Sequence, residues 1–247
     1  DGDALRRGGP TVHRVLAGYF ASQELGAKSA ILAGDYAMGV ALELLSQGAR
    51  GRNQQAAIGA EFARMHNDAI FGQQLDITAK APDPERVYAL KTASYTVQGP
   101  LAVGALLASA RPSLLELLAR FARPAGIAFQ LRDDLLGAFA DPETTGKPRG
   151  SDLSAGKSTL LVKLGLSRAR GRERAQLQRV LGNARARKAD LEQALSVLEQ
   201  SGARAAVERR IDELARAARS ELDSRAITRE GRELLAGAVQ ALAERPL

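Results

Sequence analysis

Two adjacent aspartates, Asp133 and Asp134, stand inside an apolar run, FQLRDDLLGAF. A breaker-rich loop, DPETTGKPRGSD, follows with Lys147 and Asp152, and a second lysine, Lys157, closes the stretch in AGKST. Neighbouring carboxylates are costly to bury unless a cation or hydrogen bonds compensate them. Oxygen donors of this kind suit a hard divalent cation such as Mg²⁺, which commonly keeps coordination positions for substrate phosphates. Lysines close behind in the chain suit the phosphate side of the same site. The stretch reads as a metal-bridged diphosphate site. An Arg-Asp-Asp triplet alone is also what a solvated helix face with local ion pairs looks like, and the downstream loop is what weighs against that. Neither lysine segment has the glycine spacing of a phosphate-binding P-loop, which argues against a nucleoside triphosphatase.

These residues need a scaffold, and the composition says of what kind. The chain has 247 residues, 45% hydrophobic and 26% charged, enough for a substantial core in one or at most two domains. Aromatics make up 4% and tryptophan is absent, while Ala, Leu, Arg and Glu abound. That bias favours helices and starves strands. With no cysteine, disulfides and thiolate metal sites are excluded, and two histidines, His13 and His66, argue against a multi-histidine zinc site. The formal charge of +7 and a pI near 10 point to anionic partners. Nucleic acid fits poorly, because the arginines alternate with acids and lack an aromatic stacking platform. No apolar run reads as long enough for a membrane span, and no secretory signal is evident, so the expectation is a cytoplasmic protein.

In chain order, Gly8, Gly9 and Pro10 force a loop after the paired Arg6 and Arg7, which could clamp an anion bidentately or form a solvated basic turn. Helical periodicity then runs from about Thr11 to Gln47, with Asp35 read as a buried hydrogen-bonding residue. A turn at Gly48–Asn53 leads to a helix over Asn53–Thr78, where Gln73 and Asp76 share a face, either in a polar site or capping a neighbour. Asp83 caps the next helix, in which Lys91 and Thr92 interrupt the apolar pattern; a lysine there needs an anionic partner or a path to solvent. Gly99-Pro100 predicts a kink or break, Ser113 an N-cap, and Arg123-Pro124 the start of the helix bearing Asp133 and Asp134. Two or three amphipathic helices from about Arg172 to Arg245 read as packing and solvated faces.

Taken together, these motifs resemble those of the trans-isoprenyl diphosphate synthases, the polyprenyl synthetases that include farnesyl and geranylgeranyl diphosphate synthases. The resemblance runs nearly the whole length: D-x4-RRG-x-PTVH, GD, GQxLD, KTA, FQ-x2-DD and DP-x2-TGK-x4-DL-x2-GK-x-T. It implies an all-α bundle around a central cavity, normally a homodimer, in which two aspartate-rich motifs hold Mg²⁺ against an allylic diphosphate. By that resemblance Asp1 is the last aspartate of the first motif, and Asp133 and Asp134 open the second. Arg6 meets the allylic diphosphate and Arg7 the isopentenyl diphosphate. Lys91, Thr92, Gln130, Lys147 and Lys157 complete the diphosphate cage, and Gln73 and Asp76 support the metal side. The implied reaction condenses isopentenyl diphosphate head-to-tail with an allylic diphosphate to a C15–C20 product. Class I terpene cyclisation and a non-catalytic subunit of a heteromeric synthase stand as alternatives.

Two departures from the family pattern bear on that expectation. Glycine stands at 137, one turn beyond Asp133, where the family most often has a third acid, so weaker metal binding is expected; Asp141 is a substitute only if the helix persists to it. The sequence also opens at the final residue of the first aspartate motif. The expectation is a single synthetase domain over 1–247 without its N-terminal helices and most of that motif, as part of a longer protein.

Overall fold

The computed structural model describes residues 4–6, 9–78, 83–140 and 149–243. Asp1, Arg7, Asp141 and Lys147 lie outside them. The all-α expectation holds, apart from one two-residue ladder in which β1 (Leu5–Arg6) pairs antiparallel with β2 (Gly9–Pro10). The chain forms two compact units, residues 1–60 and 61–247.

In the first unit, α1 (Val12–Phe20) packs against α2 (Gln23–Gly48). The single helical region expected from Thr11 to Gln47 is therefore interrupted. Ala21 takes a left-handed conformation at φ 49°, and Ser22 restarts the helix with its Oγ accepting the Leu25 N–H at 3.2 Å. Asp35 is exposed, not buried as expected, because α2 presents much of its length to solvent. Ile31 and Leu32 are 67% exposed and Tyr36 77%. The expectation of no sufficiently long apolar run is also corrected. α2 has 26 residues, with an 18-residue window of mean hydropathy 1.2. An exposed apolar helix of that kind meets the length and composition of a span, and equally those of a surface that packs against protein.

The second unit begins within α3 (Arg52–Thr78). Asp83 then caps α4 (Pro84–Tyr88), its Oδ1 accepting the Glu85 N–H at 3.0 Å. α4 runs directly into a π-helical stretch, Ala89–Gln98, and on into α5 (Gly99–Leu107). The break expected at Gly99-Pro100 is instead a widening of the helix before it. Pro100 has no N–H and its ring crowds the carbonyl four residues back, a conflict that a wider turn relieves. The Gly99 N–H accordingly reaches back five residues to the Ser94 carbonyl.

α6 (Pro112–Phe139) is the spine of this unit. It starts at Pro112 with Arg111 as cap, so Ser113 is not the N-cap, and Pro124 lies inside it, so Arg123-Pro124 does not begin a new helix. The lost backbone bond is outweighed by burial on both sides of Pro124: Phe121, Ala122, Ala128, Leu131 and Leu135 are at most 1% exposed. After it come α7 (Ser151–Ser154), α8 (Leu160–Arg168), α9 (Gly171–Val180), α10 (Lys188–Gln200), α11 (Ala203–Ser220) and α12 (Arg229–Ala243). The C-terminal region thus holds four helices, one or two more than expected. Their apolar faces close the core over α6 through Leu195, Leu198, Val207, Ile211 and Val239. Arg210 on α11 grips Glu85 in α4 bidentately, Nε to Oε1 at 2.8 Å and Nη2 to Oε2 at 3.0 Å, fixing the first turn of the helix that leads into the π stretch.

Candidate functional site

Two glycines bring the backbones of this site together. A Cβ on Gly126 of α6 would stand 2.4 Å from Ala93, and one on Gly72 of α3 would stand 2.4 Å from the Lys91 nitrogen. Both helices can therefore lie directly on the π stretch, whose widened turn carries Lys91 and Thr92. Position 126 sits one turn before Gln130, and position 72 one turn before Asp76, so these approaches set the height at which the polar side chains meet.

They meet in one hydrogen-bonded chain flanked by two ion pairs. The Gln130 amide nitrogen donates to Asp134 Oδ1 at 2.9 Å, and the Thr92 hydroxyl donates to Gln130 Oε1 at 2.6 Å. The Tyr88 hydroxyl donates to Asp134 Oδ2 at 2.5 Å and accepts the Leu160 N–H at 3.0 Å. Lys91 Nζ lies 2.5 Å from Asp76 Oδ2, and Lys157 Nζ lies 2.8 Å from Asp152 Oδ1. A pocket opens among these groups, lined by Asp76, Tyr88, Lys91, Gln130, Asp134 and Lys157 and by the apolar Leu75, Pro84 and Val87. Lys91 thus has the anionic partner its position requires, and Asp76 belongs to a polar site.

The two adjacent aspartates have different surroundings. Successive helical residues point about 100° apart, and here Asp134 is buried while Asp133 is exposed. Burial pushes the Asp134 carboxyl up to about 7. The hydrogen bonds from Tyr88 and Gln130 pull it down, and the charges of Asp152 and Asp133 push it further up. Burial and the neighbouring Asp134 charge hold the Tyr88 phenol firmly protonated, which makes it the donor in that bond. Burial opposes the charge on Lys157, but Asp152, Asp134 and Asp76 outweigh it and hold the ammonium above the usual lysine range.

Gly137 leaves room for a carboxylate from elsewhere. Its Cβ would fall 2.8 Å from Asp152 Oδ2, so the Asp152 side chain from α7 occupies the space above position 137 while its other oxygen holds Lys157. Asp152, which the sequence reading named in the loop without giving it a role, is a functional candidate. Its signal was the spacing to Lys157, five residues later. Tyr88 is another, and no sequence pattern marks it. Of the remaining sequence candidates, Gln73 is half-buried one turn before Asp76, and Arg6 lies exposed in β1 of the first unit.

The donor chemistry fits a hard divalent cation. It is all oxygen: Asp76 and Asp134 line the pocket with Lys91 and Lys157, and the charges of Asp133 and Asp152 act on Asp134 from beside it. Among the described residues no three His, Asp or Glu side chains converge closely enough to hold a metal by themselves.

Known proteins resemble the chain throughout. The family model described as polyprenyl synthetase matches residues 1–198. A geranylgeranyl diphosphate synthase of Saccharolobus solfataricus is 32% identical over 213 residues, 81% of this chain and 60% of that one. A farnesyl diphosphate synthase of Escherichia coli is 34% identical over 186 residues, 70% of this chain and 58% of that one. A solved geranylgeranyl pyrophosphate synthase from Corynebacterium glutamicum, complexed with isoprenyl diphosphate and magnesium, aligns with a TM-score of 0.91 at 33% identity, covering 99% of this chain and 72% of that one. The chain spans about 60% of the length of the curated relatives it matches.

Proposed function

The chain belongs to the polyprenyl synthetase family, and from that premise we propose that the complete protein is a prenyltransferase, condensing isopentenyl diphosphate head-to-tail with an allylic diphosphate in the presence of Mg²⁺. The observation that carries this reading is the charge arrangement of the pocket. Lys91 and Lys157, suited to phosphate, line it together with Asp76 and Asp134, and the charges of Asp133 and Asp152 act on Asp134 from beside it, so a diphosphate meets acids as well as ammonium groups unless divalent cations enter with it. That is the electrostatic requirement of a substrate delivered as a metal complex.

Asp133 and Asp134 would hold the cation from α6, with Asp152 facing them and Asp76 on the Lys91 side; Asp1 and Gln73 are proposed to act on the same side as Asp76. Mg²⁺ bound there supplies positive charge that weakens the bond between the allylic carbon and the diphosphate oxygen. Lys91 and Lys157, joined by Lys147 and Arg6, stabilise the charge that develops on the departing diphosphate. Thr92 and Gln130 orient it through their fixed hydrogen bonds, and Arg7 holds the isopentenyl diphosphate. Leu75, Pro84 and Val87 present carbon rather than water to the allylic cation. The isopentenyl double bond attacks that cation as the carbon–oxygen bond breaks, a new carbon–carbon bond forms, and a proton leaves to the released diphosphate. No protein nucleophile is needed, in keeping with a chain that has no cysteine.

The reading includes a C15–C20 product, one synthetase domain over 1–247 and a cytoplasmic homodimer. The exposed apolar Ile31, Leu32, Tyr36 and Val40 of α2 support association with another protein surface. Radiolabelled isopentenyl diphosphate, offered to the complete protein with Mg²⁺ and dimethylallyl, geranyl or farnesyl diphosphate, tests the activity. Elongated prenyl alcohols after dephosphorylation, lost on Asp133→Ala or with EDTA, are the expected result. Folded, complete protein that incorporates nothing with any primer refutes it. Cyclic products from the allylic diphosphates alone would instead favour a cyclase.

A further inference from the structure

We propose that Tyr88 is a positioning residue of this site, one hydroxyl that fixes the Asp134 carboxylate and ties it to the start of α8. Tyr88 lies on the last turn of α4, immediately before the π stretch, and is 6% exposed. Its phenolic oxygen has one proton and two lone pairs, and its two partners decide how they are used. Ionised, as it must be to serve a cation, Asp134 only accepts, so the proton goes to its Oδ2, at 2.5 Å. A backbone N–H only donates, so the Leu160 N–H points at the phenol, at 3.0 Å.

Both partners need this bond. Asp134 is the buried member of the aspartate pair, and with Oδ1 held by Gln130 it is Tyr88 that stops the carboxylate rotating about its last torsion. Leu160 opens α8, where backbone N–H groups have no partner within the helix. The Thr159 side chain caps the Val162 N–H, leaving that of Leu160 to Tyr88. Lys157, Ser158 and Thr159 line the pocket just ahead of that helix start. Tyr88 therefore sets both the orientation of one acid and the distance of the Lys157 segment from α6. It touches neither the reacting carbons nor, in this reading, the metal; it acts through Asp134 and through α8.

This inference rests on the proposed function insofar as Asp134 is taken to serve a cation. The test is Tyr88→Phe in the complete protein, with Mn²⁺ affinity measured by electron paramagnetic resonance in the presence of inorganic pyrophosphate, alongside steady-state kinetics and thermal melting. We expect Mn²⁺ to bind about 10-fold more weakly and kcat to fall by about 10-fold, with the KM for isopentenyl diphosphate within about twofold of wild type. Leu160→Pro is the companion variant. It deletes the N–H that orients the phenol, at the first helical position, where proline is favoured, and exchanges a half-buried leucine side chain for the proline ring. Thr159, at φ −70° and ψ 162°, already has the extended backbone that a following proline requires. It should shift Mn²⁺ affinity in the same direction, by about 2–5-fold, and it decides the matter if Tyr88→Phe does not fold. A lower melting temperature with Mn²⁺ affinity and kcat unchanged overturns the proposal and leaves the synthase reading intact. Wild-type protein that binds no Mn²⁺ with pyrophosphate overturns both. Wild-type protein that binds Mn²⁺ but elongates no primer overturns the synthase reading, while the affinity comparison still decides the role of Tyr88.

Discussion

Replacing Asp134 with asparagine should remove a pH dependence of stability that the buried carboxylate imposes on the cation-free protein. The folded-state pKa of Asp134, about 7, lies above its ordinary value of 3.8 because burial disfavours the charged form. The folded protein therefore holds this proton more tightly than the unfolded chain. Its contribution is fully favourable below pH 3.8 and is lost as the pH rises through about 7. At about 1.4 kcal/mol per pKa unit, moving from pH 5 to pH 8 removes about 3 kcal/mol, the portion of the shift that lies in that window. The amide that replaces the carboxylate carries no charge to desolvate. Its oxygen can still accept from Tyr88, and its nitrogen can donate to Gln130 if that amide turns over and presents its own nitrogen to the Thr92 hydroxyl. The network survives, so the substitution isolates the charge. Urea denaturation in EDTA at pH 5 and pH 8 should show the wild type losing about 3 kcal/mol relative to Asp134→Asn across that interval, with Mg²⁺ and pyrophosphate restoring much of it at pH 8. Stability profiles that stay parallel over the whole range would refute the reasoning, since they would mean that Asp134 is ionised at no cost without a cation.

Lys91→Met should lower kcat/KM for the allylic diphosphate by about 100-fold, because it removes a positioned cation and leaves Asp76 with its nearest partner gone; a loss below about threefold in the elongation assay would place Lys91 outside the chemistry. Gly126→Ala should destabilise the protein by about 1–3 kcal/mol, since its Cβ would stand 2.4 Å from Ala93 and α6 would have to lift from the π stretch; thermal melting checks this, and an unchanged midpoint would contradict the close approach. Gly137→Asp would bring a new acid against Asp152, whose Oδ2 lies 2.8 Å from the added Cβ. It should destabilise the protein by about 1–2 kcal/mol in EDTA and recover with Mg²⁺ and pyrophosphate; a deficit that the cation leaves unchanged would show that the two carboxylates do not share one.

The parts of the site that local spacing governs were legible in the chain. Asp133 and Asp134 stood out because acids interrupt an apolar run, Lys91 and Thr92 for the same reason, and Gln73 with Asp76 because three residues apart means one helix face. Spacing could not say which of two adjacent acids points inward. That depends on which side of α6 the rest of the chain covers, and it is Tyr88 of α4, itself bonded to the start of α8, that covers the side of Asp134. Proline was misread for a similar reason. Pro124 is a stop signal in an isolated helix, yet α6 is buried around it, and packing outweighs one missing hydrogen bond. Asp35 went the opposite way, as an acid in an apolar run that the described chain leaves exposed.

The groups that sequence reading missed meet their partners through contacts that helical periodicity does not register. Tyr88 and Asp134 are 46 positions apart, and a tyrosine among apolar neighbours reads as core until the carboxylate opposite it is known. Asp152 looked like a loop acid because Gly137 was read only as a lost carboxylate. A missing side chain leaves a volume as well as a lost charge, and here another element's acid fills that volume. The consequence for function is specific. If the Asp152 carboxylate acts in place of an acid at 137, its position depends on α7 and on the Lys157 pair instead of on the rigid α6 helix. Cation binding should then be coupled to the order of the segment carrying Lys157, so that removing the Lys157 charge by Lys157→Met weakens Mn²⁺ binding, although lysine itself repels the metal. Simple electrostatics predicts the opposite sign, tighter binding once a nearby positive charge is gone. The sign of the change in Mn²⁺ affinity therefore separates an Asp152 held for the metal from one that merely neutralises a lysine.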